Sequence, residues 1–231
     1  MPSADPTNTL WLRAGDPRPG PRPGLNLDDI AAVCVRLADG EGLPALSMRR
    51  VAEELGTGAA SLYRYVSGKD DLVSLMYDRV AGEYEFDSAT GDLRADVLSV
   101  ADQARAMYRR HPWMVRANPG ELGPNGLRYL DHMVGVLAPA RLEPAATMTG
   151  IAMLSGWVTV FSAQEAAGQV APAAAGADHI AAMLRHGDYP HLSELFARSE
   201  AAGGAAVDAD AVFRAGIEAL LFGIAGGGDV E

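Results

Sequence analysis

Residues 59–69 combine small, aromatic and cationic side chains in a spacing that suits contact with a nucleic acid. Arg64 can donate two hydrogen bonds to a guanine edge, and the hydroxyls of Tyr63 and Tyr65 can reach phosphate oxygens. Lys69 lies in the first turn of a predicted helix that Ser67 caps, where its ammonium and the helix N-terminus both favour a phosphate. Three small residues allow the backbone to approach base edges: Ala59, Ala60 and Ser61. The pattern predicts a surface that lies in the major groove of double-stranded DNA.

Two short helices separated by a glycine turn must position these side chains. Apolar residues at three- and four-residue spacing predict a buried face on the first helix, over residues 48–55. Ser47 caps that helix, and Gly56 supplies the left-handed residue that ends it. Such a turn sets the second helix at a steep angle, so that it projects from the domain. We therefore expect a helix-turn-helix, with Arg49 as a further DNA contact; the alternative is a three-helix packing unit without DNA.

Residues 27–83 resemble the DNA-binding domain of the tetracycline-repressor (TetR) family of regulators. The resemblance rests on the run LADGEGLPALSMRRVAEELG, then SLYRYVSGKDDLVSLM, and on the family's L-Y-x-Y/H-V-x-x-K core at residues 62–69. It implies a ligand-responsive transcriptional regulator, expected to be a repressor that a small molecule releases from a palindromic operator. The family pattern assigns the DNA-facing positions to Arg49, Ala59, Ala60, Ser61, Tyr63, Arg64, Tyr65 and Lys69.

The remainder of the 231 residues shows one helical pattern after another and no convincing strand alternation, so we expect an all-α protein. Residues 1–25 form an arm rich in Arg, Pro and Gly, residues 26–85 the helix-turn-helix domain, and residues 86–231 an effector-binding and dimerisation domain. Basic arms can enter the minor groove, which makes Arg18 and Arg22 candidate DNA contacts. A leader without a role is the alternative for this arm.

The formal net charge of −11 argues against a general nucleic-acid binder. The cations of the helix-turn-helix region fall mostly at the predicted DNA face, so we expect a locally positive surface on an acidic body. The single cysteine, Cys34, excludes an internal disulfide and is typical of a reducing cytoplasm. No secretory signal is visible, and no stretch approaches the ~20 apolar residues that span a bilayer. We therefore expect a cytoplasmic protein without a membrane partner.

Two predicted helices, over residues 143–168 and 207–224, carry more apolar surface than one small domain can cover. Exposed apolar patches of this size usually mark an interface, which predicts a homodimer. The segments GWVTVFSAQEAAG and FRAGIEALLFGI also resemble the two dimerisation helices of tetracycline-repressor-type C-terminal domains.

A mixture of methionine, tryptophan and a few polar residues faces the presumed interior of residues 86–231. Small-molecule pockets use such a mixture, so we expect a cavity between the helices over 92–111, 125–137 and 143–168. Its predicted lining is Gln103, Met107, Arg116, Met133, Met153 and Trp157. Plain core packing is the alternative for each of these residues.

The tetracycline repressor holds its drug through a metal bound partly by a histidine, and the resemblance places Arg116 at that position and Glu165 near a second, acidic one. We therefore expect no metal and no cofactor, and an Arg there could attract an anionic or carbonyl-bearing ligand. An enzyme is the main competing class, but none of the five histidines lies in H-E-x-x-H and no G-x-S-x-G is present. The sequence predicts no catalysis; a ligand-independent DNA-binding protein is the other alternative.

Overall fold

The structure, a computed structural model, describes residues 10–11, 25–86, 89–170, 174–201 and 208–226, and contains helices and no strand in those ranges. The first part consists of four helices: α1 (Leu27–Glu41), α2 (Met48–Glu54), α3 (Ala59–Leu62) and α4 (Lys69–Ala81). The second part consists of six: α5 (Leu93–Arg110), α6 (Pro124–Leu137), α7 (Pro144–Ala166), α8 (Ala174–His186), α9 (Pro190–Ala201) and α10 (Ala209–Gly226). Short 3₁₀ segments lie at Leu43–Ala45, Pro112–Arg116 and Ala138–Ala140. The all-α prediction is confirmed.

Local sequence signals set the ends of the first helices. The side chain of Asn26 accepts a hydrogen bond from the Asp29 amide at 2.7 Å and caps α1. Ser47 caps α2 in the same way, at 3.2 Å from the Arg50 amide. Gly56, at φ +63°, ends α2 in the left-handed conformation that glycine adopts without a Cβ clash. The turn of the helix-turn-helix therefore forms as its residues predict.

Two hydrophobic cores follow from this arrangement, and the first crosses from one part of the chain to the other. Its buried residues include Leu62 and Met76 from the small helices, but also Met107 and Trp113 from the second part. The second core lies among α5, α6, α7 and α10. Cys34 is fully buried in the first core, and burial raises the pKa of its thiol to about 12, as expected for an unreactive apolar side chain.

The N-terminal residues Leu10 and Trp11 dock onto this shared core. Leu10 is 2% exposed, and its amide donates a hydrogen bond to Glu121 Oε2 at 3.1 Å. Trp11 packs so closely on Gly123 that a Cβ there would lie 2.5 Å from the indole ring. A segment of the predicted arm is therefore fixed beside the loop before α6.

Helix α7 corrects the expectation that no stretch of the chain approaches the length and hydropathy of a membrane span. By length and hydropathy it is long and apolar enough to cross a membrane, the single such helix in the described ranges. A third of its apolar window, 33%, is buried inside the protein. Its threonines, serines and glycines interrupt the apolar run without adding a charge, which is why the sequence shows no continuous hydrophobic stretch.

Candidate DNA-binding face and effector cavity

Helix α3 is anchored by one buried side chain and followed at once by a tight turn. Leu62, the last residue of α3, is 0% exposed and Val66, after the turn, is 2% exposed, so the turn is fixed on the first core at both ends. The α-helix ends at Leu62, and the Tyr65 amide bonds the Leu62 carbonyl at 2.9 Å in an i to i+3 turn. The recognition segment, which we define as residues 59–66, is therefore α-helical only over its first four residues. Tyr63 projects from it with 56% of its surface exposed.

The structure places the predicted DNA contacts around the turn between α2 and α3 and at the start of α4. Five of them are exposed: Arg49, Ala60, Tyr63, Arg64 and Lys69. Three are partly buried: Ala59, Ser61 and Tyr65. Arg18 and Arg22 lie outside the described residues. The role of all ten in DNA binding stays a prediction.

Acidic neighbours offset part of the positive charge on this face. Arg49 pairs with Glu53 one turn away at 3.6 Å, and both side chains are well exposed. Arg50 lies 3.1 Å from Glu41 and 3.1 Å from Glu54. The sequence did not indicate how closely these groups pair. A phosphate must therefore compete with carboxylates for these guanidinium groups.

Helix α4 begins differently from the prediction, which placed a cap at Ser67. Gly68 occupies the cap position and provides no side-chain hydrogen bond. The Asp71 carboxylate instead accepts a hydrogen bond from the Ser67 amide at 2.6 Å. Lys69 Nζ donates to the Leu43 carbonyl at 3.3 Å, so its ammonium is held near the loop before α2.

A cavity of about 170 Å³ lies between α4, α5, α6 and α7. Its walls are mostly apolar, with methionines and four tyrosines. They comprise Tyr77, Asp78, Ala81, Tyr84, Val97, Val100, Ala101, Ala104, Met107, Tyr108, Met114, Pro119, Glu121, Leu122, Gly123, Gly126, Tyr129, Met133, Leu154, Ser155 and Val158. Met107 and Met133 therefore lie where the sequence placed them, and their contact with a ligand stays a prediction.

The four tyrosines are the feature of the cavity that sequence reasoning missed, since nothing in their spacing indicates a common site. The rings of Tyr84 and Tyr129 stack with centroids 4.8 Å apart. Burial raises the pKa of Tyr77, Tyr84, Tyr108 and Tyr129, so all four hydroxyls stay neutral. The cavity thus offers flat aromatic faces to a ligand.

The other four predicted lining residues do not reach this cavity. Gln103 lines a second cavity beside Asp96 and His132, and its amide bonds the backbone of Glu85. Arg116 is exposed on the 3₁₀ segment, and Met153 is 46% exposed on the outside of α7.

Trp157 is the fourth of these residues, and it packs against α10. A Cβ on Gly216 would lie 2.2 Å from its ring, and its indole N–H donates to the Phe213 carbonyl at 3.2 Å. A helix that is apolar on all sides gives no signal of which face points inward, and here Leu154, Ser155 and Val158 do.

Glu165 also has a structural role. It accepts paired hydrogen bonds from Arg105, at 2.6 and 3.1 Å, and from Arg109, at 2.7 and 3.1 Å. These bonds, the Arg105 bonds first, lower the pKa of Glu165 to about 2. The Arg105 guanidinium also lies over the rings of Phe161 and Phe213, so the group ties α5, α7 and α10 together. Among the described residues no cluster of three His, Cys, Asp or Glu side chains that could hold a metal ion is found.

Two side chains of α4 hold the loop that forms the cavity wall. Asp78 Oδ1 accepts the amides of Asn125 at 2.8 Å and Gly126 at 3.0 Å. It thereby caps α6, whose own cap position provides no side-chain bond. Ser74 Oγ, one turn earlier, accepts the amides of Gly120 at 3.2 Å and Glu121 at 3.4 Å. We name Ser74 and Asp78 the α4 latch.

A second contact joins α1 to the segment after α5. The Trp113 indole N–H donates to Asp39 Oδ1 at 2.8 Å, and His111 Nδ1 lies 2.9 Å from the same oxygen. His111 Nε2 faces Glu83 at 3.1 Å. The helix-turn-helix part is therefore fixed to the cavity part on two sides, through α4 and through α1.

Two family profiles match the chain. "Bacterial regulatory proteins, tetR family" matches residues 30–76, and "Tetracyclin repressor-like, C-terminal domain" matches residues 86–226. The HTH-type transcriptional repressor DrrR1 of Streptomyces coeruleorubidus is 42% identical over 153 residues, which are 64% of this chain and 57% of that protein. An HTH-type transcriptional regulator of Saccharopolyspora erythraea is 32% identical over 232 residues, 96% of this chain and 93% of that protein.

Solved structures also superimpose on most of this chain. The Streptomyces coelicolor TetR family protein ActR in complex with actinorhodin superimposes with a TM-score of 0.72 and 30% identity, over 89% of this chain and 99% of that one. ActR in complex with (S)-DNPA has a TM-score of 0.70 and 29% identity, over 88% of this chain and 98% of that one.

Proposed function

The chain belongs to the TetR family of bacterial regulatory proteins, and we propose that it is a cytoplasmic homodimeric repressor that a small molecule releases from a palindromic operator. The family is one of DNA-binding transcriptional regulators, and we infer that the chain catalyses no reaction. The ligand response is carried by one observation: the same helix, α4, packs in the helix-turn-helix core and forms a wall of the cavity.

The α4 latch supplies a physical route from cavity to DNA. Tyr77 and Asp78 line the cavity, and Ser74 and Asp78 hold the loop that closes it. A ligand that binds one position of α4 better than another shifts the population toward that position. Since α4 shares its buried face with α1, this shift moves the helix-turn-helix as a unit. Half-sites one turn apart, about 34–36 Å, tolerate little change in the spacing of two recognition segments.

Exposed apolar residues on α7 and α10 support the dimer. Met148 is 49% exposed and Val160 54% on α7, and Phe222 is 83% exposed on α10. The inward faces of the same helices pack in the second core. A second copy that covers the outward faces would bury surface that a monomer leaves in water.

The cavity supports a ligand with at least one flat aromatic ring. Tyrosine faces stack on aromatic rings, and the side chains of Met107, Met114 and Met133 adapt to irregular shapes. The relatives fit this class of function: DrrR1 is a repressor, and ActR binds actinorhodin and (S)-DNPA.

Selection of bound duplexes from a random DNA library tests the proposal without knowledge of the operator. We expect a palindrome to be enriched, and fluorescence anisotropy then gives its affinity. Arg64→Ala should relax discrimination at one or two bases, by about 1–3 kcal/mol. Lys69→Ala should weaken all sequences about equally and reduce the salt dependence.

Two outcomes would contradict parts of this proposal. If no sequence is enriched, or if both variants bind the selected operator like the wild type, the DNA-binding face is wrong. A thermal-shift screen against metabolites and drugs, followed by operator release, tests the response. A protein that no aromatic compound stabilises or releases would instead be a ligand-independent DNA-binding regulator.

A further inference from the structure

We propose that the effector carries a positive charge beside its aromatic ring, a statement that rests on the proposed function of the cavity. Every charged side chain in the described lining is acidic. Asp78 and Glu121 contribute carboxylates, whereas no Arg, Lys or His is among the described residues that line the cavity. Arg116, the predicted site for an anion, is exposed outside it.

The two carboxylates differ in what they can still bind. Asp78 is 9% exposed, and its oxygens are engaged by the amides of Asn125 and Gly126 and by the Asn125 side chain. Glu121 is exposed beside Leu122, at the edge of the cavity. Its Oε2 accepts the Leu10 amide at 3.1 Å, which holds the carboxylate in place, and no ion pair joins it to a cation of the described residues. Glu121 is therefore the group that a cationic substituent would meet.

The interior favours a cation for a separate reason. Aromatic faces attract cations through the ring quadrupole, and four tyrosines surround the space. Three of their four hydroxyls already have hydrogen-bond partners. Tyr77 donates to the carbonyls of Met114 and Ala117, while Tyr108 and Tyr129 bond Thr159 and Ser155. A carboxylate or sulfonate ligand would therefore lose its hydration and meet few free donors in return.

The volume of the cavity places the charged group of the effector at the edge of the cavity rather than at its centre. An apolar cavity of about 150 Å³ accepts a molecule the size of benzene, and this one measures about 170 Å³. One or two rings fill the enclosed part. The rest of a larger molecule must then extend past Leu122 and Glu121, where an ammonium group can pair with the carboxylate.

Three matched naphthalenes test this assignment on the full-length protein in the absence of DNA. 1-(Aminomethyl)naphthalene is cationic at neutral pH, 1-(hydroxymethyl)naphthalene is neutral, and naphthalene-1-carboxylate is anionic. Fluorescence titration should give affinities in the order cation, neutral, anion. Glu121→Gln should weaken the cation by roughly two- to fivefold, the size of an exposed ion pair, and leave the neutral probe unchanged.

Two control variants assign the effect to the cavity. Glu143→Gln removes the same charge from an exposed position at the start of α7 and should change none of the three affinities. Ala104→Leu fills part of the cavity and should weaken all three probes. If the three bind equally, or if Glu121→Gln acts no more than Glu143→Gln, the positive charge is wrong while the aromatic cavity stands. If none binds, or Ala104→Leu changes nothing, the cavity fails as the effector site as well.

Discussion

Arg49, a predicted DNA contact, is paired with a carboxylate of the protein itself. Its guanidinium pairs with Glu53 at 3.6 Å, and the Arg49 side chain is 87% exposed. Exposed pairs of this kind contribute at most about 1 kcal/mol. A phosphate can therefore replace Glu53, but it must displace a carboxylate that stays nearby. Because carboxylates such as Glu53 offset part of the positive charge on this face, we expect the protein to bind nonspecific DNA weakly and to depend on its cognate sequence.

Glu53→Gln should strengthen binding to DNA of any sequence by about two- to fivefold at low salt, because the competing carboxylate is removed. Anisotropy titrations at several salt concentrations measure the change, which should shrink as salt rises. Glu194→Gln, an exposed site on α9, removes the same charge far along the chain and is the control. Equal effects of the two variants would show that only the net charge matters.

At the scale of elements, α4 is both a DNA-domain helix and a cap for another helix. The start of α6 has no side-chain cap of its own, and the Asp78 carboxylate supplies one from α4. A helix cap contributes typically about 1 kcal/mol, and a buried amide without a partner costs about 1–3 kcal/mol. The latch therefore stabilises the contact between α4 and the start of α6.

Asp78→Ala should therefore destabilise the protein by about 2–3 kcal/mol and speed hydrogen exchange at the Asn125 and Gly126 amides. Hydrogen-exchange NMR and chemical denaturation measure the two effects. Asp70→Ala, an exposed position on the same helix, is the control and should leave both amides protected. The latch would be disproved by a variant whose α6 amides exchange as slowly as in the wild type.

The Arg105–Glu165–Arg109 group joins α5 to α7 and gives the protein a pH-dependent element. The pKa of Glu165 is lowered from 4.5 to about 2, so the folded state holds this proton less tightly than the unfolded chain. Its stabilisation is complete above pH 4.5 and is lost as the pH falls from there to about 2. Linkage sets an upper bound of about 3 kcal/mol on this contribution, and solvent screening of the exposed Arg109 reduces it.

Glu165→Gln should flatten the loss of stability between pH 4.5 and 2 and lower stability at neutral pH. Denaturant titrations across this range measure both changes. Glu143→Gln, at the exposed cap position before the same helix, should retain the wild-type slope. An unchanged slope in Glu165→Gln would mean that other carboxylates dominate acid unfolding.

At the scale of the whole molecule, the proposed dimer depends on apolar surfaces that a single chain leaves exposed. On α10, Leu221 is 7% exposed and faces the second core, whereas Phe222 is 83% exposed. Adjacent residues of one helix thus serve different purposes. A charge at Leu221 would unfold the domain, but a charge at Phe222 meets water in a monomer and an apolar partner in a dimer.

Phe222→Glu should therefore split the proposed dimer and leave the helical content unchanged, because the monomer core is untouched. Sedimentation equilibrium and circular dichroism test the two parts of this statement. Leu127→Glu, at a site that is 55% exposed on α6, is the control and should stay dimeric. A wild type that sediments as a monomer at micromolar concentration would contradict the assembly.

The sequence by itself determined the features that depend on neighbouring residues. Caps, turns and amphipathic stripes are local, so Asn26, Ser47 and Gly56 fixed the start of α1, both ends of α2 and the turn before α3. The fold class followed from the same periodicity, and the family resemblance followed from the run around Leu62.

Only the tertiary structure decided which side chains meet across long stretches of chain. Helix α7 is apolar on every side, so its sequence contains no sign that Leu154 and Val158, rather than the predicted Met153 and Trp157, form the cavity wall. Packing against α5, α6 and α10 turned Leu154 and Val158 toward the cavity. The α4 latch joins Asp78 to Asn125 across 47 positions, and the contact of Leu10 with Glu121 spans 111. The four tyrosines of the cavity come from α4, the segment after it, α5 and α6. No local pattern encodes such pairings, because they arise from the way whole helices bury their apolar faces together.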